Sequence, residues 1–492
     1  MSTELNQQAR DIKTKIEQLV EIDKLDEALD IIKAYKQVII NDPEIYSIEG
    51  VAYVKLLDFE SAEAVLKRGL IADITYFDIL YNLAIVYDHL GRFEESKLYY
   101  TRSLQFVKDN TLAETIKGML LNKARQIQKN NEITPEPSND FIDILLNELF
   151  SSLMNNYHFN IDIIAYEIRG LPIVDQNYVN TAFNKEKILI NFDGIANLFN
   201  HLRDEYSRNL LIKLIAYRIL GNQKVMLPTN QKEYWGNREK AHTLINSKDT
   251  IKTTFLNLEL DYFDLSEIGY DLRLYFNSIG VSNTFIEKQY EYNKLEQNIK
   301  VKEGDTVIDA GGCWGDTALY FAHEVGNKGA VYSYEFIPSN LEIMDRNINL
   351  NPSVKEIIKV VKKPVWSSSG ETVYYQDLGP GSRVTNNLTP QTTGKSETLS
   401  IDDLVELYKI EKVDFIKMDI EGAELSALIG ANQTIKKFRP TLAISLYHKI
   451  SDFSDIVKYI SELDSRYEYY LNHYTIFDEE TILFAKPIAT VK

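Results

Sequence analysis

Cysteine occurs once in 492 residues, at Cys313, which excludes an intrachain disulfide and any metal cluster built on cysteine thiolates. No uninterrupted apolar run approaches the roughly 20 residues that a helix needs to cross a bilayer. The opening segment, Met1-Ser-Thr-Glu-Leu-Asn-Gln-Gln-Ala-Arg10, lacks the basic and apolar regions of a signal peptide. Positive charge is also in short supply: 54 Lys and Arg against 72 Asp and Glu give a formal net charge of −18. That balance argues against a nucleic-acid partner, because phosphate contacts need clustered Lys and Arg. These absences together describe a cytoplasmic protein with no membrane span. The remaining composition, 44% hydrophobic and 26% charged, is ordinary for a soluble globular chain. Its length exceeds what one core organises and implies two or three domains.

The first part of the chain repeats with a period of 34. Ala28, Ala62 and Ser96 keep that step, as do Leu19, Tyr53 and Tyr87, then Ile16, Gly50 and Ala84, and finally Ile32, Leu66 and Tyr100. Small residues recur where helices cross closely, and large apolar ones where they interlock. The pattern resembles the tetratricopeptide repeat, a stacked helix-turn-helix, and predicts a helical array over residues 1–129. Such a concave surface suits a protein partner or a large acceptor; a spacer or an arm for homo-oligomer formation is the plainer alternative. Residues 130–139, rich in Pro and Asn, read as a linker. Residues 140–280 form a mixed, mostly helical accessory region with helix candidates at Phe141–Asn155 and Ile195–Leu220.

From about residue 281 strands and helices alternate. Strands are expected at Thr306–Asp309, Ala330–Glu335, Ile357–Val361, Val413–Met418, Thr441–Leu446, Tyr467–Tyr474 and Thr481–Ala485. Helices between the first five imply a parallel, Rossmann-like sheet, and the last two read as an antiparallel pair at one edge. The first strand runs into Asp309-Ala-Gly-Gly-Cys-Trp-Gly-Asp-Thr317, a glycine turn that lets a ligand approach the backbone. Glu335 ends the next strand, 24 residues past Gly311, where an acid can hold a ribose diol. Acidic residues flank the turn at Asp309 and Asp316. They would repel a pyrophosphate but receive the ammonium of a methionine moiety, which favours S-adenosylmethionine (SAM) over a dinucleotide.

Several runs together resemble the FkbM family of methyltransferases, over roughly Phe285 to Pro487. They are the glycine turn, Tyr334-Glu-Phe-Ile-Pro-Ser-Asn340, Phe415-Ile-Lys-Met-Asp-Ile-Glu-Gly-Ala-Glu424, Arg439-Pro-Thr-Leu-Ala-Ile-Ser-Leu-Tyr-His448 and the closing strands. The resemblance implies methyl transfer, usually to a hydroxyl of a sugar, polysaccharide or other natural product. Transfer to nitrogen on an amino sugar, peptide or protein is the enzymatic alternative, and a repeat scaffold with a SAM-binding but inactive domain is the non-enzymatic one.

Candidate cofactor residues are then Asp309, Gly311, Gly312, Trp314, Gly315, Asp316 and Glu335. Asp316 either caps the next helix or meets the ammonium. Trp366 either stacks on adenine or belongs to the core. At the acceptor end, Asp419 closes the fourth strand and His448 the fifth. His448 is the candidate general base, weighed against a structural histidine; His473, in the terminal hairpin, reads as structural. Asp419 with Glu421 can hold a divalent cation, or serve as base and cap. Arg383, on a Gly/Pro loop, together with Glu421 and Tyr447, completes the expected acceptor contacts.

Overall fold

The computed structural model describes residues 3–130, 139–158, 160–168, 184–253 and 258–489. The expected linker falls at 131–138, outside the described residues. The chain divides into two compact units. One holds residues 1–156, 177–192 and 218–224, and the other 157–176, 193–217 and 225–492. Residues 140–280 are thus shared between the two. Among the described residues, no helix is long and apolar enough to cross a membrane.

The first unit opens with seven helices, α1 (Thr3–Glu21), α2 (Leu25–Lys36), α3 (Pro43–Lys55), α4 (Phe59–Ala72), α5 (Phe77–His89), α6 (Phe93–Ser103) and α7 (Asn110–Asn130). Neighbours in sequence pack on one another. Ala28, Ala62 and Ser96 are all fully buried, as the 34-residue period requires. A second regularity appears in the turns. Asp23, Leu57 and Gly91, again 34 apart, all adopt positive φ (58°, 61° and 72°). Behind each, the next N–H returns to a carbonyl five residues back: Lys24 to Leu19 at 2.9 Å, Asp58 to Tyr53 at 3.0 Å and Arg92 to Tyr87 at 2.9 Å. This is one Schellman-type helix stop used three times. Gly50 lets α3 approach α4, because a Cβ there would lie 2.5 Å from Leu66.

The second unit is built on a seven-stranded sheet. Its spatial order is Tyr467–His473, Thr481–Pro487, Thr441–Ser445, Phe415–Met418, Thr306–Ala310, Ala330–Tyr334 and Ile358–Val361. The five strands from Thr441–Ser445 onward are parallel; Thr481–Pro487 pairs antiparallel with Thr441–Ser445 and with Tyr467–His473. Central strands such as Phe415–Met418 are buried at every position, as sheets covered on both faces demand.

The structure departs from expectation in three places. The helix expected over Ile195–Leu220 is two, Phe192–His201 and Glu205–Leu220. Asp204 stops the first and caps the second, accepting from the Ser207 N–H at 2.7 Å, while Leu202 bridges to Tyr469 at the sheet edge. A three-stranded antiparallel sheet (Ile245–Lys252, Glu259–Asp264, Arg273–Phe276) stands where mostly helix was expected. Another one (Thr372–Gln376, Arg383–Thr385, Gly394–Glu397) is inserted after the Ile358–Val361 strand.

Candidate active site

The glycine turn is anchored by a buried ion pair. Asp309, fully buried, lies 3.2 Å from Lys417 Nζ, itself 1% exposed, and accepts from Thr317 Oγ1 at 3.0 Å and Ser333 Oγ at 2.6 Å. Lys417 also donates to the Gly311 carbonyl at 2.6 Å, so one cation ties the acid to the turn it precedes. Burial opposes charge on Lys417, but Asp309, Asp419 and Asp316 together hold its ammonium above the usual range. Gly311 sits at φ 95°, and a Cβ there would come within 2.0 Å of the Asp419 carbonyl oxygen. The turn and the end of the Phe415–Met418 strand therefore touch only because that residue has no side chain.

Two connected cavities open at the C-terminal ends of the parallel strands, where an open α/β sheet binds its ligands. The first is mostly apolar, with Phe336, Ile337, Pro364, Val365, Ile420 and Ala423 beside Glu335, and with Asp419 and Glu421 also on its lining. Glu335 Oε1 accepts from the N–H groups of Phe336 (2.5 Å) and Ile337 (2.7 Å), and Oε2 from Asn340 Nδ2 (3.2 Å). Burial pushes its carboxyl up to about 7, against the pull of those three donors. Glu335 thus both faces the cavity and fixes the backbone that leads into the Pro338–Asn349 helix. Trp366 does not line this cavity; its neighbours Lys363, Pro364 and Val365 do. Its carbonyl instead abuts Gly430, where a Cβ would lie 2.0 Å away.

The second cavity is lined by Trp314, Asp316, Tyr290, Arg383, Tyr447, His448 and the Glu479–Glu480 turn, among others. Burial raises Asp316 to about 6, and Thr284 Oγ1 donates to it at 2.9 Å. Gly311, Cys313, Pro380, Asp419 and Glu421 line both cavities and so mark the junction. Gly312, Gly315 and Asp309 shape the turn from beneath without lining either.

Asp419 and His448 do come together. Tyr290 and Tyr447 donate to the two Asp419 oxygens at 2.9 and 3.0 Å. Burial disfavours charge on Asp419, yet His448, Lys417 and the two phenols keep its carboxyl below the ordinary value. The His448 ring is 4% exposed. Its Nδ1 lies 2.9 Å from Glu424 Oε1, and its Nε2 lies 3.5 Å from Asp419 and 3.6 Å from Glu421. Burial works against the charged ring, but Glu421, Glu424 and Asp419 outweigh it and hold the imidazole well above its ordinary value. Both ring nitrogens are cut off from solvent. The ring stands behind the carboxylates, which is not the free imidazole expected of a general base. Glu421 is 24% exposed and reaches Arg383 at 3.6 Å, so the loop arginine does meet the site. The group that comes together around Asp419 is Asp419, Glu424 and His448, whose polar atoms lie within 4.8 Å of one another and could hold a cation; Glu421 is not part of it.

Residues 297–467 match the family model described as the methyltransferase FkbM domain. This chain carries a methyltransferase domain. The domain is similar to the hexuronic acid methyltransferase AglP of Haloferax volcanii, at 24% identity over 163 residues, which is 33% of this chain and 64% of that protein. The chain thus spans a little under two thirds of that relative. Among solved structures it is similar to a methyltransferase FkbM from Methylobacillus flagellatus KT (19% identity, 66% of this chain and 72% of that one, TM-score 0.40). It is also similar to Aeropyrum pernix fibrillarin in complex with S-adenosyl-L-methionine (13% identity, 48% and 99%, TM-score 0.28).

Sequence reasoning missed Lys417 and Tyr290 as members of the site. Lys417 was visible in principle, as a lone cation between Ile416 and Met418 in an apolar central strand. Tyr290 lies in a loop far from Asp419 in sequence, and only the fold brings the two together.

Proposed function

We propose that the chain transfers the methyl group of SAM to a hydroxyl of a sugar, polysaccharide or other natural product. The observation that carries this reading is the junction. A largely apolar cavity that holds the strand-end carboxylate Glu335 and a more polar one meet at Gly311, Asp419 and Glu421. The residues present suit SAM. Glu335 has acceptor capacity left for a ribose diol, the slot between Ile337 and Val365 is apolar enough for adenine, and the buried Asp316 carboxylate suits an ammonium. When bound, SAM supplies a methyl group on a positive sulfur that needs no further activation. The protein has to place the acceptor oxygen in line, exclude water and take up one proton. Asp419, Glu421 and His448 stand at that end of the site. AglP is named for a hexuronic acid, and that name lends support to a sugar acceptor.

The helical unit is read here as a tetratricopeptide-like array that recruits a large acceptor or a protein partner. Its recurring turns at Asp23, Leu57 and Gly91 support the repeat reading. The test of the whole proposal is titration calorimetry with SAM, followed by transfer of labelled methyl to a panel of neutral, acidic and amino glycosides. Label on oxygen is the expected product. Label on nitrogen would favour the N-methyl alternative, and tight SAM binding without any transfer the inactive scaffold.

A further inference from the structure

Among the described residues, two carboxylates line both cavities, Asp419 and Glu421. Asp419 is committed. Tyr290 and Tyr447 donate to its two oxygens, and Lys417 and His448 add positive charge beside it, so its affinity for a further proton is low. Glu421 is held more loosely. It occupies the turn after Asp419 with φ 56°, a left-handed conformation, and its oxygens meet Arg383 and His448 at 3.6 Å. His448 stands one layer further in. Its ring is wedged between Tyr447, centroid to centroid 4.2 Å, and Glu424, which is fully buried with its Oε1 also accepting from the Ile420 N–H at 2.9 Å. Asp452 and Lys449 are the other charged groups near this ring and Glu424. An acceptor in the second cavity therefore reaches Glu421 before it can reach either ring nitrogen.

We propose that Glu421 is the catalytic residue that meets the acceptor hydroxyl and takes its proton, and that His448, backed by Glu424, is a positioning residue that holds Glu421 and Asp419 from behind. This assignment rests on the methyl-transfer reading above. In the step, the acceptor O–H proton moves to a Glu421 oxygen as the acceptor oxygen bonds to the methyl carbon. The sulfur–methyl bond breaks with its electron pair on sulfur, and the acid of Glu421 then returns the proton to water. A carboxylate suffices, because loss of a neutral thioether from the sulfonium drives the reaction and the proton need only leave as the new bond forms.

The two roles predict opposite behaviour. A histidine base must be bare at Nε2, so its enzyme gains rate as the ring loses a proton. A positioning imidazolium must keep both protons, so its enzyme loses rate as the ring deprotonates. Three measurements on the full chain separate them. Glu421→Gln should keep SAM affinity within about twofold and lose about a hundredfold or more in kcat on whichever glycoside the parent methylates. His448→Gln should lose less, and the decline of the parental rate at high pH should disappear with it. Ring nitrogen resonances of [15N]histidine-labelled parent, saturated with S-adenosylhomocysteine at neutral pH, should show His448 protonated at both positions. Parental kcat in Glu421→Gln, a rate that climbs with pH only while His448 is present, or a bare Nε2 at neutral pH would each overturn the proposal. The NMR measurement needs neither a variant nor an acceptor. If no glycoside is methylated, the acceptor reading fails, while the ring's protonation still decides its role.

Discussion

Replacing Glu335 by Gln separates the two tasks that this side chain performs, because the amide keeps the shape and loses the charge. Gln can retain the two backbone N–H groups of Phe336 and Ile337 at its oxygen. Its new NH₂ then faces Asn340 Nδ2, and Asn340 cannot turn over without loss. Its Oδ1 already accepts from Trp314 Nε1 at 3.0 Å, and its Nδ2 also donates to the Gly379 carbonyl at 3.2 Å. One hydrogen bond to a carboxylate is lost, about 1.5–3 kcal/mol in the folded state. Against this stands the cost of burying the charge. With the carboxyl raised from 4.5 to about 7, the folded state binds the proton more tightly than the unfolded one. The parent therefore loses stability as pH rises from the unfolded value to the folded one, by about 3 kcal/mol in all. Gln has no such loss. Near pH 4 the variant should melt below the parent, and near pH 8 at or above it, so the difference in Tm should change by several degrees across that range. SAM affinity should fall by about 1.5–3 kcal/mol at pH 8, where the parent presents a charged acceptor to the ribose. Melting curves and titration calorimetry at the two pH values check both parts. A Tm difference that stays constant with pH would refute the buried-charge argument. Unchanged SAM affinity in the folded variant would refute the ribose assignment.

Gly311→Ala should cost about 1–3 kcal/mol in backbone strain at φ 95° alone. It should also push the Asp419 carbonyl out of place, so a lower Tm together with lost SAM binding is expected; parental values for both would remove the close approach from the account. Lys417→Met should destabilise by about 3–5 kcal/mol, because it leaves the Asp309 charge buried without its cation. The double variant Asp309→Asn, Lys417→Met should recover part of that loss in a denaturant melt, and equal losses in the single and double variants would argue against a coupled pair. Dialysis against a chelator should leave methyl transfer unchanged, since His448 already neutralises the Asp419–Glu424 cluster. Loss of activity restored by Mg²⁺ or Mn²⁺ would reinstate a cation there.

The parts of this molecule that were legible in its sequence are those where one physical demand acts on many neighbours at once. The seven strands of the main sheet announced themselves because strands buried in a sheet are mostly apolar, and Thr306–Ala310 and Phe415–Met418 are buried at every position although each carries one charged residue. The 34-residue period was legible for the same reason, since each helix pair solves one packing problem three times. The small antiparallel sheet at Thr372–Glu397 was not, because its strands bury few positions and Lys395 and Glu397 read as loop. Nor was the break at Asp204, where a single side-chain cap overrides a helical pattern that continues on both sides. The site shows the same division. Residues at strand ends and glycine turns were found, since topology alone puts them at the cleft. The order of the groups within it was not, because that depends on depth. Glu421 and Glu424 lie three residues apart in one turn, yet one is exposed to the cavity and the other is sealed beneath a histidine. A sequence offers two equivalent acids and one imidazole. The fold makes one acid part of the cavity wall and the other a counter-ion, and leaves the imidazole between them with both ring nitrogens buried.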